Sequence, residues 1–178
     1  MARNVEIKAR IKSFDSILER VAGLADTGPT EIVQDDSFFA CGNGRLKLRV
    51  ASPNEGQLIF YRRANQRGPK ESFYLISSTA NPDTLRESLS LAYGLVGRIQ
   101  KKRLLFFVGR TRIHLDRVTG LGDFLELEVV LEEGESVEAG EAVARDLMHK
   151  LDVLPDQLIE GAYIDLFVAD RLQNHQAK

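Results

Sequence analysis

The chain is predicted to fold as an all-β-dominated α+β domain, an eight-stranded antiparallel barrel with flanking helices. Three observations lead there. Eight segments alternate apolar and polar residues with the two-residue period of a half-buried strand. Several amphipathic helical stretches are available to cover the apolar faces. The opposite strand faces are charged, with the signs sorted by strand instead of mixed as on a surface built only for solubility.

Residues 4–10 begin the pattern: Asn4, Glu6, Lys8 and Arg10 share one parity and Val5, Ile7 and Ala9 the other. Ser13 offers an N-cap to a helix carrying Phe14, Ile17, Leu18, Val21 and Leu24 at helical spacing. Residues 33–39 and 45–50 read as a hairpin around Gly42, Asn43 and Gly44, residue types that supply positive φ. On its second arm Arg45, Lys47 and Arg49 oppose Leu46, Leu48 and Val50. After a turn at Pro53 to Gly56 come strands at residues 58–63 and 72–77. Asn81 and Pro82 start a helix that the spacing of Leu85, Leu89, Ala92 and Val96 carries as far as Gly97. Strands at residues 98–108, 111–118 and 124–131 follow. An amphipathic helix begins after Ser136, and a last helical segment after Pro155.

The 178 residues suit one domain, spanning 1–178. Acidic and basic residues nearly cancel, to a formal net charge of −2, so the whole molecule lacks the basic footprint of a nucleic-acid binder. Any phosphate recognition must arise from local clustering. A single cysteine, Cys41, rules out an internal disulfide, and neither a signal peptide nor a membrane-length apolar run is visible, so a cytoplasmic protein that meets no membrane is expected. Cys41 lies beside a hairpin turn and receives no role.

A strand with one apolar and one charged face fits either an open sheet wetted on one side or a barrel whose lumen holds a charged ligand. The chemistry favours the barrel. The charged parity collects Glu6, Lys8, Arg10, Arg45, Lys47, Arg49, Arg63, Lys101, Arg103, Arg112, His114, Asp116, Glu126 and Glu128, with the middle rows Arg45 to Arg49 and Lys101 to Arg103 purely basic and the acids gathered toward the first and last strands. Rows of Arg and Lys neutralise polyphosphate, and neighbouring carboxylates can hold Mg²⁺ or Mn²⁺ against its oxygens. No phosphate-binding glycine loop of the G-x-x-x-x-G-K-S/T kind is present, nor a His/Cys set for zinc. His114, the one histidine on a strand, reads as a hydrogen-bonding partner.

These residues resemble the CYTH family, the triphosphate tunnel metalloenzymes, along nearly the whole chain. The family opens with E-x-E-x-K; here Asn4-Val5-Glu6-Ile7-Lys8 matches the second Glu and the Lys and puts Asn at the first Glu. Gln34-x-Asp36-x-Phe38-Phe39, Arg45-Leu46-Lys47-Leu48-Arg49, Tyr61-x-Arg63, Ser72-x-Tyr74 and Lys101-x-Arg103 follow in the family's order. Arg112-Ile113-His114-Leu115-Asp116 and Gly120-Leu121-Gly122-x-Phe124-x-Glu126-x-Glu128 look closer to the class IV adenylate cyclase branch than to animal thiamine triphosphatases.

The resemblance implies a triphosphate partner such as ATP, tripolyphosphate or thiamine triphosphate, and Mg²⁺ or Mn²⁺ as cofactor, in a monomer or homodimer. It places Glu6, Asp116, Glu126 and Glu128 at metal positions. Lys8, Arg10, Arg45, Lys47, Arg49, Arg63, Lys101, Arg103, Arg112 and His114 fall at substrate positions, and Glu6, Lys8, Arg63, Lys101 and Asp116 take the catalytic roles. Asn4 brings an oxygen without charge, which bears on how many metals bind. A cyclase, a triphosphatase and a non-catalytic polyphosphate binder all remain open.

Overall fold

The computed structural model describes residues 2–176; Met1 and the last two residues of the expected 1–178 span lie outside them. The strands are β1 (Ala2–Arg10), β2 (Thr27–Phe39), β3 (Arg45–Ser52), β4 (Glu55–Arg63), β5 (Lys70–Thr79), β6 (Leu95–Val108), β7 (Thr111–Val118) and β8 (Gly122–Val130). The helices are α1 (Phe14–Leu24), α2 (Pro82–Tyr93), α3 (Val137–Lys150) and α4 (Tyr163–Gln176). Every strand pair is antiparallel and the sheet closes in the order β1-β5-β4-β3-β2-β6-β7-β8. Closure decides between the two readings of the charged faces, because the inner parity of a closed barrel lines one shared lumen instead of an open sheet surface.

The outer parity is buried where helices cover it. Val5, Ile7, Ile113, Leu115, Leu125, Leu127 and Val129 form the main core with Ile17 and Val21 of α1 and Ala144 and Leu147 of α3. A smaller cluster joins Phe39 and Leu48 to Leu89 of α2. Ser13 caps α1, accepting from the Ser16 amide, and Ser136 caps α3, accepting from the Ala139 amide, as the sequence leads one to expect.

Three of the differences from the expected boundaries have a visible cause. The helix begun by Pro82 stops at Tyr93, because Gly94 takes φ 83° and turns the chain; Val96 therefore belongs to β6, which starts at Leu95. β2 begins at Thr27 instead of residue 33; residues 27–31 are exposed, so burial leaves no alternation to read there. Pro155 starts only a single 3-10 turn, after which the chain runs extended, bridges Leu158 to Ala9, and enters α4 at Tyr163.

That extended piece is stapled to the barrel by Lys70. Its Nζ, on a residue 1% exposed, donates to the carbonyls of Gln66 at 2.9 Å, Glu160 at 3.0 Å and Ile159 at 3.3 Å. Replacing this ammonium strands buried carbonyls without a donor. Lys70→Met is expected to lower unfolding free energy by about 2 kcal/mol. Lys102→Met, on the exposed outer face of β6, should change it by less than about 0.5 kcal/mol, as read from urea unfolding.

Candidate active site

The inner parity converges on a cavity of about 310 Å³. Seven cations line it, Lys8, Lys47, Arg49, Arg63, Lys101, Arg103 and Arg112, against four carboxylates, Glu6, Asp36, Glu126 and Glu128. Cross-strand register brings opposite charges face to face: Lys8 pairs with Glu126, Arg112 with Glu128, and Arg49 with Asp36.

The contacts sort into three groups. On one wall Asp36 accepts from Lys47 Nζ at 2.8 Å and from Arg49 Nε and Nη2 at 2.8 and 2.9 Å. Burial works to raise the Asp36 carboxyl, but Lys47 and Arg49 outweigh it and hold it far below the usual carboxylate range. On the opposite wall Glu126 accepts from Lys8 at 2.8 Å and Arg103 at 2.6 Å, while Glu128 accepts from Arg112 at 2.8 Å. Between the walls Arg63 makes an ion pair with Glu6 and donates to the Gly161 carbonyl at 3.0 Å.

The carboxylates gather around His114. Its Nδ1 is buried with no hydrogen-bond partner and faces Glu126 Oε2 at 3.7 Å and Glu128 Oε1 at 3.8 Å. One ligand atom from each of the three lies within 4.8 Å of the others. Burial, then Arg103, pushes the imidazole below its ordinary value, so it is neutral at pH 7 and keeps a lone pair. Burial would raise Glu126, yet Lys8 and Arg103 hold it well below the usual range. Glu128 is also lowered against burial; with His114 neutral, Arg112 supplies the charge that matters there at pH 7. An orphaned imidazole nitrogen beside two ionised carboxylates is a donor set that fits a divalent cation. Glu6 stands on the adjoining strand, in register with Glu128, and Asn4, two residues along, is buried on the same wall with its Oδ1 unpartnered.

Asp116, expected beside these carboxylates, is placed otherwise. It is 0% exposed and is not part of the cavity lining. Its oxygens accept from Arg103 Nε and Nη2, both at 2.6 Å, from Tyr163 Oη at 2.7 Å and from Lys101 at 3.2 Å. Burial favours its neutral form, but Lys101 and Arg103 together keep it ionised. In this arrangement it is the counter-anion that fixes two cavity cations.

Arg10 and Arg45 share the inward parity yet stand apart from the cavity, correcting the expectation that parity alone carries them into it. Phe124 and Tyr163 pack across that end of the barrel with Phe38, Ile99 and Val118. Arg10 is left outside, over the Phe124 ring and donating to the Leu121 carbonyl at 2.8 Å. Arg45 bonds Asn65 and Asp165 at 2.8 and 2.7 Å on the outer side. The remaining expected residues all line the cavity.

Sequence reasoning overlooked Asp36 and Tyr163. Asp36 stood in a quoted motif on the inward parity, and its place opposite Arg49 was available from a hairpin register. Tyr163 had no such signal, since it enters the barrel from a helix.

Crowding of cations has a titration consequence. Burial first, then Arg103, pushes Lys101 down to about 7, and burial with Arg49 pushes Lys47 to about 8. A lysine lowered from 10.5 costs the empty fold increasingly as pH falls from 10.5 to its folded value, and fully below it. A bound polyanion draws the proton back. On binding tripolyphosphate at pH 8 the wild type should take up up to about one proton more than Lys101→Met. The difference should vanish at pH 6, where Lys101 is already charged; calorimetry in buffers of different ionisation enthalpy measures both.

Comparison with known proteins is consistent across the chain. The CYTH domain family model matches residues 2–163. Adenylate cyclase CyaB of Aeromonas hydrophila is 26% identical over 171 residues, covering 89% of this chain and 85% of that protein. The PH1012 protein of Pyrococcus horikoshii OT3 superposes with a TM-score of 0.81 at 22% identity, over 92% of this chain and 98% of that one. HpAC1 from Hippeastrum, for which a dominant triphosphatase activity is recorded, gives a TM-score of 0.61 at 14% identity over 89% and 91% of the two chains. At these identities the structural likenesses show a shared barrel fold.

Proposed function

We propose, from the premise that this chain belongs to the CYTH domain family, that it is a divalent-metal-dependent enzyme that binds a triphosphate in its barrel and cleaves it. The carrying observation is the cavity itself, where seven Lys and Arg side chains meet an orphaned histidine nitrogen flanked by two glutamates. Such a lumen is complementary to a polyanion carrying a metal.

Glu126, Glu128 and His114 would hold the cation, with Glu6 on the adjoining strand. Bound there, the metal supplies Lewis-acid neutralisation of phosphate oxygens. The chain's own residues do the rest. Lys47 and Arg49 on one wall and Arg103 and Arg112 on the other grip non-bridging oxygens by charge-assisted hydrogen bonds and hold the phosphate chain in line for displacement. Lys8, Arg63 and Lys101 stabilise the charge that grows on the departing phosphate. In the cyclase form of the reaction the ribose 3′-hydroxyl of ATP attacks the α-phosphorus and pyrophosphate leaves; in the hydrolytic form water attacks the terminal phosphorus of a nucleoside, thiamine or inorganic triphosphate. The resemblance of the His114 and Glu126 segments to the cyclase branch, together with the relationship to CyaB, puts the cyclase form first.

A second reading, non-catalytic binding of polyphosphate, is favoured by two observations. Asn4 brings no charge where the family's first Glu stands, and both Glu126 and Glu128 already pair with cations. Product analysis separates the readings. With Mn²⁺ or Mg²⁺ and ATP, cyclic AMP and pyrophosphate are expected; orthophosphate release marks the hydrolytic form, and no product from ATP, thiamine triphosphate or tripolyphosphate marks the binder. Glu126→Gln and Glu128→Gln should abolish metal-dependent turnover with the fold intact. Because an imidazole joins the carboxylates, Mn²⁺ should bind more tightly than Mg²⁺, as read by calorimetry. Asn4→Glu should tighten Mn²⁺ binding; turnover that persists in EDTA would contradict the metal site.

A further inference from the structure

Tyr163, the first residue of α4, enters the barrel from outside the sheet and is 5% exposed. The Lys8 Nζ lies 3.7 Å from its ring centroid and the Lys101 Nζ 4.9 Å. Its hydroxyl donates to Asp116 Oδ2 at 2.7 Å, the same oxygen that accepts from Lys101. Phe124 meets the ring at 4.8 Å and an interplanar angle of 56°, fixing its tilt. A single side chain therefore touches two cavity ammonium groups and the carboxylate that pairs one of them.

The physics of that contact is directional. An aromatic face is negative and attracts an ammonium held near its centroid, most strongly where water is excluded. Lys8 has Glu126 as its other partner and Lys101 has Asp116. Without the ring, each lysine would keep a charge partner but lose what fixes the direction in which its remaining N–H groups point. A residue chosen only to fill the end of a barrel needs neither a π face nor a hydroxyl.

The segment that delivers the ring is itself held by the barrel. Arg63 donates to the Gly161 carbonyl, Lys70 to those of Ile159 and Glu160, and the Ile159 amide donates to the Lys8 carbonyl at 2.9 Å. The Asp165 carboxylate accepts from the Ala162 amide at 2.7 Å, fixing the turn from which Tyr163 departs. Ring and lysines are thus tied to the same strands.

We infer that Tyr163 is a positioning residue of the phosphate site: the face of its ring sets the direction in which Lys8 and Lys101 present their ammonium groups, so the start of α4 is part of the binding machinery. The inference rests on the proposed triphosphate function for its purpose and on the lysine geometry for its substance.

Three variants test it. Tyr163→Phe keeps the face and loses the bond to Asp116, Tyr163→Leu loses both, and Phe167→Leu weakens packing of the same helix on β6 without reaching the cavity. With tripolyphosphate as the titrant in calorimetry, Tyr163→Leu should bind roughly tenfold more weakly than wild type and Tyr163→Phe within about threefold. Phe167→Leu should match wild type. With ATP and Mn²⁺, the leucine variant should raise KM by a similar factor, and phenylalanine should rescue it. Independently of any ligand, the Lys8 ε-methylene protons should be shifted upfield by the ring in wild type and in Tyr163→Phe, and return to ordinary lysine values in Tyr163→Leu.

An unshifted Lys8 signal in the wild type, or equal losses of affinity in the phenylalanine and leucine variants, would overturn the inference, as would an equal loss in Phe167→Leu. A wild type that shows the ring shift and binds no tripolyphosphate would overturn the proposed function and leave the tyrosine's hold on Lys8 standing.

Discussion

Enclosing seven cations and four carboxylates in one barrel is the constraint on which the rest of the structure depends. Charges removed from water need partners with good geometry, and an excess of one sign stays unfavourable until a counter-charge arrives. The register of the sheet supplies the partners that the chain can provide. Glu126 faces Lys8 on one side and His114 on the other, Asp116 faces Arg103, and Asp36 faces Arg49. A one-residue slip of any of these strands would turn its charged row outward beneath the helices, so the charges specify the register as firmly as the apolar residues do.

The excess of basic residues connects this constraint to function. Burial first, and then the neighbouring arginines Arg103 and Arg49, depress Lys101 and Lys47, so both ammonium groups stand to gain from a counter-charge beyond the carboxylates they already have. Asp116 limits that cost from beneath Lys101 and Arg103, and Tyr163 limits it from the end of the barrel with a π face in place of a further charge. The cavity is thereby preorganised, its donors already fixed by contacts that a substrate need not create. It also gains a direction, since Ala162 and Tyr163 line one end while, among the described residues, the strand ends opposite carry no helix in the lining.

The barrel was legible because its strands obey a period of two with opposite chemistry on the two faces, and Lys8, Arg49, Arg103 and Glu128 accordingly share the cavity while Ile7, Leu48 and Leu127 lie buried outside it. Parity tells which face a residue takes but not how far along the axis it sits, which is why Arg10 and Arg45 read as cavity residues and lie beyond the apolar cluster of Phe124 and Tyr163. It is equally silent about which inward side chains their neighbours enclose, so Asp116 reads like Glu126 although Lys101, Arg103 and Tyr163 cover it and only Glu126 lines the cavity. Contacts made across more than a hundred residues of chain, such as Tyr163 with Lys8, leave no periodic trace at all. Helix ends were legible from capping residues at Ser13 and Ser136. Past Pro82 the helical spacing ran on into β6, because Leu95 and Val96 are apolar in either period and only the positive φ of Gly94 stops the helix.

We propose that the lumen is an unfinished ion cluster completed by a polyanion. Thermal unfolding as a function of tripolyphosphate concentration tests it most directly, with sulfate at matched ionic strength as the comparison. The melting temperature should climb steadily with tripolyphosphate, little with sulfate, and hardly at all with either in Arg103→Met. Equal stabilisation by the two anions, or none by tripolyphosphate, would contradict the account.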